Sequence, residues 1–236
     1  MAKVYIGIGH GGSDPGAVAN KLRESDLNLA VGKACYNYLK ARGVEVKISR
    51  TTDKAVELEQ RIKDANKFKA DIALDIHHNA GNGDGAEVYH TKNGGKGKTL
   101  AENILAEMKK IGQNSRGTKT RLNASGKDYF GFIRQTDMPA VLVECAFVDN
   151  KTDVKIVDTA AEQKKMGEAI AKACLKTLGI ADKVIKKETA KKEEPKKDGT
   201  LYCVQVGSFA EYTNAQKMVE QLNAKGFKDA IVTVKK

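Results

Sequence analysis

Val4-Tyr5-Ile6-Gly7-Ile8-Gly9-His10-Gly11-Gly12 is the stretch on which the fold turns. Residues 4–8 form a short β-branched run closed by glycines, which predicts a buried strand. Gly7, Gly9 and Gly12 match the GxGxxG spacing of a dinucleotide fingerprint placed after a strand. The context contradicts that reading. The third glycine of a fingerprint packs inside the first turn of a helix, whereas Ser13-Asp14-Pro15-Gly16 forces a turn and helical periodicity waits until about Glu24. Ser49-Arg50 stands where an acidic ribose partner belongs. A nicotinamide enzyme is disfavoured, and His10 is left just beyond the C-terminal end of a strand.

Outward from this run, Leu27, Leu29, Ala30, Ala34, Cys35, Tyr38 and Leu39 recur at helical spacing, and Gly43 stands where a helix-ending glycine belongs. The spacing predicts a helix over 24–42, a strand over 44–48, a helix over 55–68 and a strand over 71–77. That βαβαβ rhythm implies right-handed crossovers and an α/β fold, a mostly parallel twisted sheet flanked by helices. Further strands are expected at 85–91 and 140–145, the latter apolar throughout as inner parallel strands are, with helices at 99–111 and 161–178. Residues 112–136 read as a long polar loop, a feature that compact domains use to wall a cleft.

Residues 182–199 hold 12 charges in 18 positions and read as a linker. Beyond it a strand (201–209), a helix (213–225) and a strand (230–234) form a small βαβ module. Its 36 residues are too few to bury a stable core alone. The expected domains are 1–180, a charged linker 181–200, and 201–236.

The 236 residues carry 41 basic and 30 acidic side chains, a net charge of +11 that favours polyanionic partners. The excess is spread along the chain and tryptophan is absent, so a nucleic-acid binder with concentrated charge and stacking aromatics is disfavoured. No stretch approaches the roughly 18 to 20 apolar residues of a membrane span. Four scattered cysteines without a CxxC pair suggest reduced thiols. The N-terminal residues enter a strand without an apolar leader, so the expectation is cytoplasmic accumulation.

In a parallel sheet the strand C-termini share one edge, where ligands collect. His10, His77, Glu144 and Glu24 all fall at that edge. Two histidines and a carboxylate that leave a position for water compose a catalytic zinc site, and a further carboxylate can take the water's proton. His10, Glu24 and His77 are assigned as Zn2+ ligands and Glu144 as the base. Plainer readings stand beside these: Glu24 as a first-turn acid favoured by the helix dipole, His10 as a loop histidine, His77 as a core histidine, Glu144 as half of an ion pair. His78 points to the opposite face of the strand from His77 and is read as packing or as support behind the site.

The ordered run His10-Gly11-Gly12-Ser13-Asp14-Pro15-Gly16-Ala17, Glu24 with Leu27-Asn28-Leu29, Ser49-Arg50-Thr51, Asp75-Ile76-His77-His78-Asn79-Ala80, Phe132-Ile133-Arg134 and Met138-Pro139-Ala140-Val141-Leu142-Val143-Glu144 resembles the zinc-dependent N-acetylmuramoyl-L-alanine amidases of the amidase 3 type. The resemblance covers about residues 3–178. It places ligands on His10, Glu24 and His77 and the catalytic glutamate on Glu144, and it implies hydrolysis of bacterial peptidoglycan. Arg134 is then a candidate to grip a stem-peptide carboxylate or to support the oxyanion, with a loop salt bridge as its plain alternative, and Asn79 a candidate to orient substrate or a ligand. His78 and Cys145-Ala146 depart from the family pattern.

The tail resembles half of a sporulation-related repeat (SPOR), a wall-binding fold, which implies a homodimer completed through 201–236. The whole is similar to phage endolysins and to sporulation mother-cell autolysins that reach the wall after release. A catalytically inactive peptidoglycan-binding protein is the alternative.

Overall fold

The computed structural model describes residues 1–184, 206–228 and 230–233. In chain order the elements are β1 (Lys3–Ile8), β2 (Val18–Ala19), β3 (Leu22–Arg23), α1 (Glu24–Lys40), β4 (Glu45–Ile48), α2 (Leu58–Phe68), β5 (Ile72–Asn79), β6 (Ala86–His90), α3 (Gly95–Lys110), β7 (Ser115–Lys119), α4 (Gly131–Gln135), β8 (Ala140–Phe147), α5 (Lys151–Val154), α6 (Ala160–Thr177) and α7 (Tyr212–Ala224).

Six strands form one sheet in the order β4-β1-β5-β8-β6-β7. The strands β4, β1, β5 and β8 are mutually parallel, and β6 runs antiparallel to β8 while pairing parallel with β7. The expected α/β architecture is therefore present, with its far edge reversed.

Strand alternation sorts the side chains between two cores. Val4, Ile6, Ile8, Ile72, Leu74, Ile76, Val141 and Val143 join the larger cluster with α1, α3 and α6. Tyr5, Ala73 and Ala140 face the smaller cluster with Ile62 and Ala65 of α2 and Phe132 of α4. Both faces are covered, which explains why these strands are apolar at nearly every position. The helices α1 and α6 approach closely at Gly167, where a Cβ would stand 2.3 Å from the Val31 carbonyl oxygen.

Two expectations need correction, and one feature is new. Residues 112–136 are not all loop: they contain the edge strand β7 and the single-turn helix α4. The second helix begins at Leu58, three residues late. Residues 18–23 form a small hairpin whose turn, Asn20-Lys21, has φ of 50° and 64°, the left-handed pair that two-residue hairpins require.

Residues 1–186 and 187–236 are separate compact units. In the second, α7 has no buried residue, and 206–209 and 230–233 carry no strand; the other strand positions expected there, and residues 185–200 of the expected linker, lie outside the described residues. No helix among the described residues is long and apolar enough to cross a membrane.

Candidate metal centre

The strands β1, β5 and β8 end side by side, so the residues that close each strand or come just after it meet at one edge. His10 stands two residues after β1 with φ of 59°, a conformation costly for a side chain with a Cβ and one that structures retain at functional sites. It is held there from both sides: Gly9 N–H donates to Ile76 O at 3.0 Å, and Gly11 and Asp14 pair through their backbones. Glu24 opens α1, delivered by the hairpin, since its N–H donates to Ala17 O at 2.9 Å and Ser25 N–H to Pro15 O at 3.0 Å.

His77 lies on the α2 face of β5 and is the register partner of Glu144 on β8. The nitrogens His10 Nε2 and His77 Nδ1 stand 3.1 and 2.9 Å from Glu24 Oε1, and the two rings meet edge to face at 5.0 Å between centroids. One donor atom from each of His10, Glu24 and His77 lies within 4.8 Å of the other two. Ligands of a tetrahedral divalent ion stand roughly 3.3 Å apart, so each of the two histidine nitrogens needs to withdraw from Glu24 Oε1 by only a few tenths of an ångström.

The backbone is cut to this arrangement. A Cβ on Gly9 would strike the His77 ring at 2.1 Å, and one on Gly16 would stand 2.5 Å from Glu24 Oε2. Glycine is required at both positions for close approach.

Electrostatics agree with a cation. Burial opposes ionisation of Glu24, but its contacts with His10 and His77 outweigh burial and hold its carboxyl far below the usual range. Burial likewise opposes charge on His77, yet Asp75 and Glu24 push the ring up to about 10. His10 is raised by its contact with Glu24. The field of Glu24 and Asp75 that raises the ring is negative, and it attracts a cation, whether proton or metal. The donor set and the glycine cradle therefore fit a metal.

Each of these three side chains is held from behind, as metal ligands require. His10 Nδ1 meets Asp14 Oδ2 at 2.7 Å. His77 Nε2 lies 3.5 Å from Asp75 Oδ2, and buried Asp75 accepts from Arg61 Nη1 at 2.7 Å. Glu24 Oε2 accepts Ala17 N–H at 2.9 Å, and Oε1 accepts His78 N–H at 3.1 Å. Arg50, 1% exposed, donates Nη2 to Gly9 O and Ser25 O at 3.1 and 2.7 Å, tying together the segments that carry His10 and Glu24.

Glu144 is different in kind. Its Oε2 is buried with no hydrogen-bond partner, and burial, opposed by His77 but aided by Glu24, Glu87 and Asp75, lifts its carboxyl to about 7. A carboxyl poised near neutrality beside a cation site is suited to move protons in either direction. Its antiparallel partner Glu87 accepts from Lys119 Nζ at 2.6 Å and Tyr89 Oη at 3.0 Å and also pairs with Arg116.

The hydrogen bonds seen for the remaining candidates go to nearby backbone. Arg134 donates Nη1 to Asp128 O and Tyr129 O at 2.6 and 2.8 Å, so its guanidinium braces the loop before α4. Asn79 Oδ1 accepts the Ala80 N–H at 2.9 Å, where β5–β8 pairing shifts register. Sequence reasoning did not find Asp75 with Arg61, or Glu87 with its basic partners. The available signal was period 2: Asp75 shares the face of His77, two residues on.

Comparison with known proteins bears on this geometry. Residues 4–176 match the family model of the N-acetylmuramoyl-L-alanine amidases, and residues 198–236 that of the SPOR domain. The chain is 36% identical over 236 residues to the N-acetylmuramoyl-L-alanine amidase CwlM of Bacillus licheniformis, covering 98% of this chain and 85% of that protein. It is 34% identical over 239 residues to a sporulation-specific N-acetylmuramoyl-L-alanine amidase of Bacillus subtilis, covering 100% of this chain and 86% of that protein. Among solved structures, the amidase AmiC2 of Nostoc punctiforme superposes with a TM-score of 0.69 at 31% identity, over 75% of this chain and 97% of that one.

Proposed function

We propose, from the premise that the chain belongs to the N-acetylmuramoyl-L-alanine amidase family, that His10, Glu24 and His77 hold Zn2+ and that Glu144 is the catalytic proton carrier. The protein is a peptidoglycan hydrolase: it cleaves the amide between the lactyl group of N-acetylmuramic acid and L-alanine. Two imidazoles and a carboxylate form a donor set suited to zinc with one position open. Bound there, the ion supplies Lewis acidity, lowering the pKa of water and favouring negative charge on the amide oxygen.

The chain's own groups account for the rest. Glu144 takes the proton of the attacking water and returns it to the departing amine of L-alanine, a double duty suited to a carboxyl lifted to about 7. Asp14 fixes His10 so that Nε2 faces Glu24. Arg61 and Asp75 brace His77 from the α2 side.

The observation that carries this reading is the unpartnered, buried Glu144 Oε2 beside the trio. A Glu144→Gln variant keeps the shape and loses the base. Muropeptide turnover is expected to fall by roughly 10² to 10⁴-fold while zinc content by elemental analysis stays at the parent level. Parental turnover in that variant removes Glu144 from the role. The alternative of an inactive wall-binding protein is not favoured, since all four groups are present and assembled.

Residues 201–236 are proposed to bind wall and to pair two copies. Supporting this, α7 buries none of its side chains, and Phe209, Tyr212, Phe227 and Ile231 are exposed. Sedimentation of the full chain as a monomer at micromolar concentration contradicts the pairing. The protein is further proposed to accumulate inside the producing cell and to act on the wall after release, which cell fractionation tests.

A further inference from the structure

Asn28 lies on α1 one turn after Glu24 and is fully buried. Its Nδ2 donates to Gly9 O at 3.1 Å and reaches Glu24 Oε1 at 3.4 Å, while Oδ1 meets His78 Nδ1 at 2.7 Å. Chemistry fixes this amide. A carbonyl and a carboxylate oxygen only accept, so the edge facing Gly9 and Glu24 is the NH2 edge, and the opposite edge is the carbonyl. Only an N–H can satisfy that carbonyl, so His78 carries its proton on Nδ1. His78 Nε2 is then a bare lone pair, and that atom is buried with no hydrogen-bond partner.

The network reaches both halves of the centre. Gly9 O, one residue before His10, takes both Asn28 Nδ2 and Arg50 Nη2. Glu24 Oε1 faces four nitrogens: His10 Nε2, His77 Nδ1, the His78 backbone N–H and Asn28 Nδ2. A ring nitrogen that gives its lone pair to a metal no longer donates to a carboxylate. The two donors that remain on Oε1 are the His78 N–H and Asn28.

We propose that Asn28, its amide locked by the Nδ1–H of His78, is the positioning residue that sets the orientation of Glu24 toward the metal. The proposal rests on the reading that His10, Glu24 and His77 hold zinc.

The test uses the full chain stripped of metal, with zinc affinity measured by competition against a chromophoric chelator. Asn28→Asp replaces a donor by an acceptor facing two acceptors, and His78→Phe keeps a ring but removes the donor. Each is expected to weaken zinc binding by roughly ten- to a hundredfold. His78→Asn restores an N–H at the place of Nδ1 and is expected to stay within about threefold of the parent. The double variant Asn28→Asp/His78→Phe is expected to lose little beyond the worse single change, because the pair acts as one unit. The visible spectrum of the cobalt(II) form, which reports ligand orientation, is expected to shift in His78→Phe and to return in His78→Asn.

Melting of the metal-free proteins separates this effect from unfolding, and whichever of the two single variants folds decides the matter. Parental zinc affinity with a parental cobalt spectrum in that variant overturns the proposal. A parent chain that takes up no zinc overturns the metal reading itself.

Discussion

Glu87 shows how a single side chain couples the site's surroundings to solvent conditions. Burial raises the pKa of its carboxyl, but Lys119, Arg116 and Tyr89 outweigh burial and hold it below the ordinary value. A carboxyl depressed in the fold stabilises it fully above the unfolded pKa of about 4.3 and ceases to do so as pH falls through the folded value. Glu87→Gln is therefore expected to be less stable than the parent at pH 7, and the gap is expected to close as the pH drops below about 4. Urea unfolding at a series of pH values reads this directly. A gap that is constant with pH contradicts the ion-pair account.

The site's residues differ in how legible they were, and for a physical reason. His10, His77 and Glu144 could be placed because each closes or succeeds a buried strand whose apolar run announces its own end. Asn28 lies in a neighbouring stretch, but its value comes from a backbone carbonyl brought near by folding, and a carbonyl leaves no mark in a sequence. The Nη1 of Arg134 braces the loop's own backbone, a task that the residue type alone did not announce.

At the scale of elements, α1 is the organising helix: its first residue reaches the candidate metal site, its buried face seats Asn28, and it packs on α6. The Gly167 contact with the Val31 carbonyl makes that pairing unusually close. In an isolated helix Gly→Ala is favourable by about 1 kcal/mol. Here the added methyl meets backbone, so Gly167→Ala is expected to destabilise by about 1 to 3 kcal/mol, measured by chemical denaturation. Net stabilisation contradicts the close approach.

Strands β1, β5 and β8 were readable because they are buried on both faces. Edge strand β7, Ser115-Arg116-Gly117-Thr118-Lys119, is polar and interrupted by glycine, so it read as loop. The hairpin of two-residue strands offered too few positions for a period, and the reversal of β6 is set by the chain's path and not by its composition.

For the whole molecule, the apolar cores seen among the described residues are made from residues of the first unit. A chain ending at residue 186 is therefore expected to fold and to hydrolyse a soluble muropeptide at a rate within a few-fold of the full chain, and to lose retention on intact wall. Loss of soluble turnover in a folded truncation contradicts the division of labour. The net charge of +11 favours approach to an anionic wall.

Anomalous diffraction at the zinc edge, from crystals of the Glu144→Gln variant grown with zinc, tests the central claim most directly. The account predicts one peak within bonding distance of His10, Glu24 and His77, about 2.0–2.2 Å from each. A map with no peak among those three side chains, from protein whose parent form still cleaves peptidoglycan, contradicts it.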